Sequence, residues 1–404
     1  MAERAKRVLI FSHALELGGA ERSLIGLLQA LVRENVRVDL FLMGHRGPLM
    51  EQIPEEVNLL PEKPGYASLA VPIGEVLGRR QFGVALGRLL GKLAAGRKKR
   101  SLGIRGESGI GLECSHRFTR PFLPDVGEGE YDLAVSFLTP HYFVAEKVRA
   151  RKKVAWVHTD YTQLALDRAA EEGMWGRYDR IAAVSAAAGA GFARVFPALR
   201  DRVVVMENLL PAERIRASAA NGCPADFPRE GAVRLLSVGR FCHAKNFDNV
   251  PDLCRRLLEA GLDVKWYLIG FGLEEDLIRR NIREAGMEER VILLGRRENP
   301  YPYLANCDLY VQPSRYEGCA VAVREAQLLG RCVVITRYPT WTGQLTDGFD
   351  GIAVPMDNPG CAAGIAELLR DPEKQRELAE NALGRPQPGT EQLKALLRWM
   401  EEGT

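Results

Sequence analysis

Ser314-Arg-Tyr-Glu-Gly-Cys-Ala-Val-Ala-Val-Arg-Glu325 follows the apolar run Asp308-Leu-Tyr-Val-Gln-Pro313 and leads into Ala326-Gln-Leu-Leu-Gly330. The pattern predicts a buried strand, a short loop with a glycine, and a helix that ends at Gly330. Gly318 lets the backbone come close to a ligand, and the first amides of the helix, near Cys319, Ala320 and Val321, offer an anion site backed by the helix dipole. A diphosphate fits such a site. Glu317 stands in the loop and Glu325 about two turns further on, too far apart to share a proton or a metal ion as a close pair would. The two carboxylates are therefore expected to hold different parts of one long ligand.

Similar strand-to-loop-to-helix steps lie on either side of this stretch. Upstream, Arg234-Leu-Leu-Ser-Val238 runs into Gly239-Arg240-Phe-Cys-His-Ala-Lys245, which places two cations at a strand's C-terminal end, where a leaving diphosphate can be held. Lys265 to Glu275 is another strand into a glycine turn, a partial G-x-G-x-x-G with Glu275 where the third glycine would stand, and Val291 to Gly295 reads as the next strand. Downstream come Arg331-Cys-Val-Val-Ile-Thr336, Asp347-Gly348 and Gly351-Ile-Ala-Val-Pro355, then helices to Leu383 and an amphipathic segment from Glu391 to Met400.

The first half repeats the alternation. Val8 to Ser12 is a short strand, and Gly18-Gly19-Ala-Glu-Arg22 opens a helix with Leu24, Leu27, Leu28 and Leu31 at helical spacing. The glycine pair fits either a phosphate-facing loop or a plain tight turn. The absence of G-x-G-x-x-G at this place counts against a dinucleotide-binding oxidoreductase. Further strands are predicted at Val36 to Met43, Val57 to Leu60, Tyr131 to Phe137, Lys153 to Val157, Arg180 to Ser185 and Val203 to Asn208. The fourth of these, Lys153 to Val157, delivers His158-Thr-Asp-Tyr161 at its C-terminal end, where open α/β sheets bind ligands. Leu209 to Gly231, rich in Ala, Pro and Gly, reads as the crossing between domains.

From Pro64 to about Glu130 the alternation stops. Glu75 to Arg105 holds nine basic residues and one acidic one. In a helix Phe82, Leu86, Leu89 and Leu93 share one narrow face, with Arg80, Arg88 and Lys92 on the other side and Arg97-Lys-Lys-Arg100 beyond. Periodicity alone is satisfied equally by an anionic-membrane contact and by an apolar stripe packed on the domain beneath a solvated basic face.

The chain has 404 residues, enough for two domains, and the apolar and charged fractions of a water-soluble globular protein. A formal charge of +3 does not by itself point to nucleic acid, and no nucleic-acid partner is expected. The eight cysteines contain no C-x2-C pair, so reduced thiols and no zinc site are expected. The apolar run Val8-Leu-Ile-Phe11 is too short for a signal peptide and no run reaches membrane-spanning length. A cytoplasmic protein is expected, with any membrane contact on the inner face as a peripheral association.

Glu317 and Glu325 with seven residues between them, the Glu-Gly step, the Gly239-Arg240 to Lys245 turn and the segments to Pro355 resemble, in that order, the retaining glycosyltransferases of the GT-B fold, family 4 in particular. The resemblance covers nearly the whole chain. It implies an α/β protein of two Rossmann-like domains facing across a cleft: residues 1–209 as the acceptor domain with the basic helical insert at about 64–130, 210–231 as linker, 232–385 as the donor domain, and 386–404 as a helix crossing back. It implies a nucleotide-sugar donor, a UDP-sugar, and a glycan or lipid-linked acceptor of the capsule or exopolysaccharide kind. Glu325 would accept from the ribose hydroxyls; Glu317 with the amides of Gly318, Cys319 and Ala320 would hold the sugar and β-phosphate. Arg240 and Lys245 would meet the diphosphate, and the base would lie near Arg296. Gly18 and Gly19 would face the cleft, and His158 would lie close to the donor sugar. No D-x-D triplet occurs, and no metal or cofactor is expected. Such acceptors favour the membrane reading of the insert.

The sequence departs from the family at Cys319-Ala-Val, where a bulkier Phe-Pro or Phe-Gly step is common, and at Asn208-Leu-Leu. A sugar-nucleotide epimerase of the same fold and an inactive binding partner are the other classes considered. Intact Arg240, Lys245, Glu317 and Glu325 argue against the latter, since charges in an empty cleft are destabilising.

Overall fold

The computed structural model describes residues 6–104, 108–229, 231–386 and 389–402, and divides into two compact units. The first runs to Leu209 and includes the C-terminal segment; the second opens at Leu210. The first contains β1 (Arg7–Ser12), β2 (Arg37–Leu42), β3 (Asn58–Leu59), β4 (Tyr131–Ser136), β5 (Ala150–Val157), β6 (Arg180–Ala183) and β7 (Val203–Val205). The second contains β8 (Val233–Val238), β9 (Val264–Ile269), β10 (Val291–Gly295), β11 (Leu309–Gln312), β12 (Val333–Thr336) and β13 (Ile352–Val354).

All of these strands pair in parallel, in the orders β3-β2-β1-β4-β5-β6-β7 and β10-β9-β8-β11-β12-β13. Strands of such sheets are covered on both faces, which is why they read as continuous apolar runs rather than alternating ones. In the second unit Leu235, Trp266, Leu268, Val311 and Val334 pack toward one helical layer, and Leu236, Tyr267, Ile269, Tyr310 and Val333 toward the other. Strand order reverses between β1 and β4 and between β8 and β11, so each sheet has one switch point at its carboxyl edge.

Three segments differ from the sequence reading or sharpen it. The stretch after Leu209 is not a bare crossing: Ala212–Ala219 is helical, and Leu210, Ile215 and Phe227 are buried in the second unit. One buried residue in eight gives no detectable helical period, so the sequence shows only a crossing between domains here. The helix Thr390–Glu401 packs on the first unit, where Lys152 donates to the Glu402 carbonyl at 2.6 Å and lies 4.6 Å from the Trp399 ring centroid.

The insert forms helices Ile73–Gly78, Phe82–Ser101 and Ile110–Thr119; Arg105 lies outside the described residues. The long helix does not lay its leucine stripe on the domain. It buries Val84, Ala85, Gly87, Gly91 and Ala95, while Phe82, Leu86, Leu89 and Leu93 are exposed. The cause is close helix packing: a Cβ on Gly87 would lie 2.6 Å from the Phe118 carbonyl oxygen, and one on Gly91 2.7 Å from Ser115 Cα. Arg88 is likewise not on a solvated face; it is partly buried and donates to the carbonyls of Ser68, at 3.0 Å, and of Val71.

Candidate functional site

The loops at the switch point of the second sheet leave β8 and β11. The β8 loop makes a turn at His243–Lys245 and closes on Asn246, which is left-handed at φ 60°. Its amide nitrogen Nδ2 donates to the Pro313 carbonyl at 2.9 Å. Arg315, in the β11 loop, donates its backbone N–H to Ala244 O at 2.8 Å and grips Asp248 through two bonds of 2.9 and 2.8 Å. Two loops far apart in sequence are thus fastened together, and that fixes Lys245 beside Glu317. The Lys245 ammonium donates to Glu317 Oε1 at 2.6 Å.

The same oxygen accepts from Ser314 Oγ at 2.6 Å and lies 3.4 Å from Gln312 Nε2. Behind it runs a buried chain in which Tyr310 OH donates to Gln312 Oε1 at 2.6 Å and Gln312 Nε2 donates to Ser314 Oγ at 2.8 Å. Thr340 Oγ1 donates to the Glu317 carbonyl at 2.6 Å. Glu317 is therefore oriented at side chain and backbone, with one carboxylate oxygen committed to the protein. Glu325 lies in the helix Val321–Leu328, buried, with Tyr301 OH donating to its Oε1 at 2.9 Å.

Ala320 N–H donates to Gln344 Oε1 at 2.6 Å, so an anion reaching this amide displaces a buried glutamine. Arg240 is exposed on the β8 loop, and Arg296, beyond β10, holds its guanidinium 5.1 Å from the Phe271 ring centroid. Gly270 and Gly272 serve packing: a Cβ on them would lie 1.9 Å from Gly239 O and 2.3 Å from Phe241 O. The partial glycine motif thus lets the β8 loop cross close to the end of β9.

In the first unit, Gly18 caps the helix Gly19–Arg33, and the Glu21 carboxylate folds back over it, within 2.0 Å of where a Cβ would stand. The opening of this helix faces a carboxylate of its own in the structure. His158 Nε2 lies 2.9 Å from the Phe137 carbonyl. A carbonyl only accepts, so Nε2 carries the proton and Nδ1 keeps its lone pair. Burial lowers this histidine to about 4, so it is neutral at pH 7.

Three other histidines crowd the same edge within electrostatic reach, and burial lowers all of them: His13 after β1 to about 4, His141 after β4 to about 3, and His116 of the insert to about 3. Sequence reasoning passed over them, and also over Gln312, Ser314, Tyr301 and Gln344. The signal available was a glutamine and a serine at the end of an otherwise apolar strand. All eight cysteines are free thiols. Among the described residues no group of three or more His, Cys, Asp or Glu side chains is placed to hold a metal ion.

Comparison with known proteins adds the following. Residues 225–385 match the family described as Glycosyl transferases group 1. The N-acetylgalactosamine-N,N'-diacetylbacillosaminyl-diphospho-undecaprenol 4-alpha-N-acetylgalactosaminyltransferase of Campylobacter jejuni is 32% identical over 149 residues, covering 36% of this chain and 40% of that protein. The lipopolysaccharide core biosynthesis glycosyltransferase LpsE of Rhizobium meliloti is 30% identical over 168 residues, covering 41% and 47%. The chain spans less than half the length of these two relatives.

Among solved structures, Anabaena HepE in complex with UDP and glucose has a TM-score of 0.66 at 18% identity, covering 98% of this chain and 100% of that one. A mutant of S. aureus TarM has a TM-score of 0.69 at 12% identity, covering 98% and 100%. Residues 225–385 are thus similar to the glycosyl transferases group 1 family, in a chain whose two parallel-sheet α/β units have the GT-B fold.

Proposed function

We propose that the chain is a metal-independent glycosyltransferase of the family 4 type. In this reading it moves a sugar, with retention, from a UDP-sugar to a glycan or lipid-linked acceptor in bacterial cell-surface polysaccharide synthesis. The observation that carries the reading is the Lys245–Glu317 contact at the switch point of the second sheet, with Glu325 on the helix that follows, inside the matched domain. The donor assignment is supported by the HepE complex with UDP and glucose, and the acceptor assignment by the undecaprenol-linked substrate in the name of the Campylobacter relative.

The chemistry follows from the side chains. Glu325 is a two-oxygen acceptor suited to paired ribose hydroxyls, and Glu317, held by Ser314 and Lys245, accepts from the sugar. An ammonium carries three donors, so Lys245 can keep Glu317 and also bind a phosphate oxygen. Charge growing on the departing diphosphate is met by Lys245 and Arg240 and by amides of the Gly318–Ala320 turn, that of Ala320 exchanging Gln344 for the phosphate. The acceptor hydroxyl attacks on the face the diphosphate leaves, and its proton passes to the leaving phosphate. In the first unit, His158 Nδ1 is an acceptor for a ligand hydroxyl at that sheet's carboxyl edge.

The test is turnover of a set of UDP-sugars with a glycan and a polyprenyl-diphosphate acceptor, with the new anomeric centre read by NMR. Lys245→Ala should lower kcat by about two to three powers of ten while melting as the wild type does. Accumulation of a free epimerised donor without transfer, or normal turnover by Lys245→Ala, would overturn the reading.

A further inference from the structure

Ten of the sixteen large apolar side chains exposed among the described residues lie between Ile73 and Phe122, within the helical insert of the first unit. On the helix Phe82–Ser101 they form one row of Phe82, Leu86, Leu89, Leu90 and Leu93, exposed by 64%, 49%, 50%, 41% and 56%. The spacing i, i+4, i+7, i+8, i+11 keeps them on one side over about 16 Å of helix. The opposite side is already spoken for by Gly87, Gly91 and Ala95 against the helix Ile110–Thr119. A helix apolar on both sides is normally buried on both, and a patch of this kind marks an interaction surface.

We infer that this row docks the protein on an anionic lipid bilayer, the helix lying flat with its leucines at the acyl boundary. The charges at its ends choose the occupant. Phe82–Ser101 contains no acidic residue, and Arg97 and Arg100, both exposed, continue the leucine side one and two turns further on. At the other end stand Arg79 and Arg80, of which Arg79 is paired with Glu75 at 2.5 Å. Both ends of the row are therefore net basic.

A second copy of the chain laid on the row would bring cation to cation whether the two helices ran parallel or antiparallel. A surface of phospholipid head groups neutralises both ends at once, while the apolar row enters the layer beneath. No helix among the described residues is long and apolar enough to cross a membrane, so the contact is with the surface. The inference stands apart from the transferase reading, since it uses no residue of either switch point.

The experiment is flotation of the full chain with vesicles of phosphatidylcholine alone and of equal parts phosphatidylcholine and phosphatidylglycerol. Two variants accompany the wild type: Leu86→Ser/Leu89→Ser/Leu93→Ser and Arg97→Gln/Arg100→Gln. Every substituted side chain is exposed, so both should melt as the wild type does. The wild type should float with the anionic vesicles and scarcely with the neutral ones. The arginine variant should bind anionic vesicles about tenfold more weakly, and the serine variant at least that much more weakly. A wild type that stays at the bottom of the gradient with anionic vesicles overturns the inference, as do two variants that float like it. So does a wild-type dimer that the serine variant dissociates in the absence of vesicle binding, which would give the face to a second copy. UDP binding by the variants, read separately, tells failure here from failure of the transferase reading.

Discussion

Glu317 and Lys245 stand out in the sequence as charged residues at the carboxyl ends of apolar strands, and the fold brings their side chains into contact. What could not be read is how they are held. Gln312 and Ser314 look like ordinary strand-end polar residues, yet with Tyr310 they form the buried chain that ends on Glu317 Oε1. Ser314→Ala removes one charge-assisted bond from that oxygen and should lower kcat about tenfold, while calorimetric UDP affinity stays near the wild-type value. An equal loss of UDP affinity would mean that Ser314 shapes the fold of the loop rather than the carboxylate. Gln344 was invisible for another reason: it is some two dozen residues from the amide it occupies. Gln344→Glu places a carboxylate at the Ala320 amide and should weaken UDP binding at least tenfold more than uridine binding. Equal effects on the two ligands would exclude a phosphate at that amide.

At the scale of elements, strand cores were legible because buried parallel strands are apolar throughout, as β10 and β4 show, although β5 begins at Ala150 rather than Lys153 and β7 ends at Val205 rather than Asn208. The insert was legible as a helix, but the side it buries was not. Large residues suggested the buried face, whereas close packing on Ile110–Thr119 selected the glycines. Paired substitutions expose the difference. Gly91→Ala puts a Cβ 2.7 Å from the Ser115 backbone and should destabilise the protein by about 1–3 kcal/mol. Gly96→Ala, in the same helix with nothing within 4 Å, should stabilise it by about 0.5–1 kcal/mol. Urea unfolding of both variants is the check, and equal effects would contradict the packing.

The buried histidines give the first unit an acid sensitivity. His116 and His141 have folded values of about 3, below the ordinary 6.5, so the unfolded chain binds more protons between those limits. Each therefore removes about 1.4 kcal/mol of stability per pH unit as pH falls below 6.5. Glu171, raised to about 7 by burial, acts oppositely: its contribution is present in acid and is lost as pH rises from 4.5 through 7. Net stability should fall from pH 6.5 to 5, and Glu171→Gln should make the fall steeper. A urea midpoint flat over that range would show that the histidines are not neutral and buried as described.

For the whole molecule, length foretold two domains and strand alternation foretold two parallel sheets, but the boundary was blurred by Ala212–Ala219, a helix with one buried apolar residue. The order of the strands decides where each unit works. In the second unit it puts the β8 and β11 loops side by side, and the ion pair between Lys245 and Glu317 joins them. That this place holds a nucleoside diphosphate, with Glu325 on its ribose, is the central claim. The most direct measurement is calorimetric titration of UDP, with NAD as comparison, into the full wild-type chain and into Glu325→Ala, each first shown to melt cooperatively. Micromolar binding of UDP by the wild type, lost in Glu325→Ala, with no binding of NAD, is the predicted result; NAD bound in place of UDP, or UDP bound equally by both proteins, would contradict it.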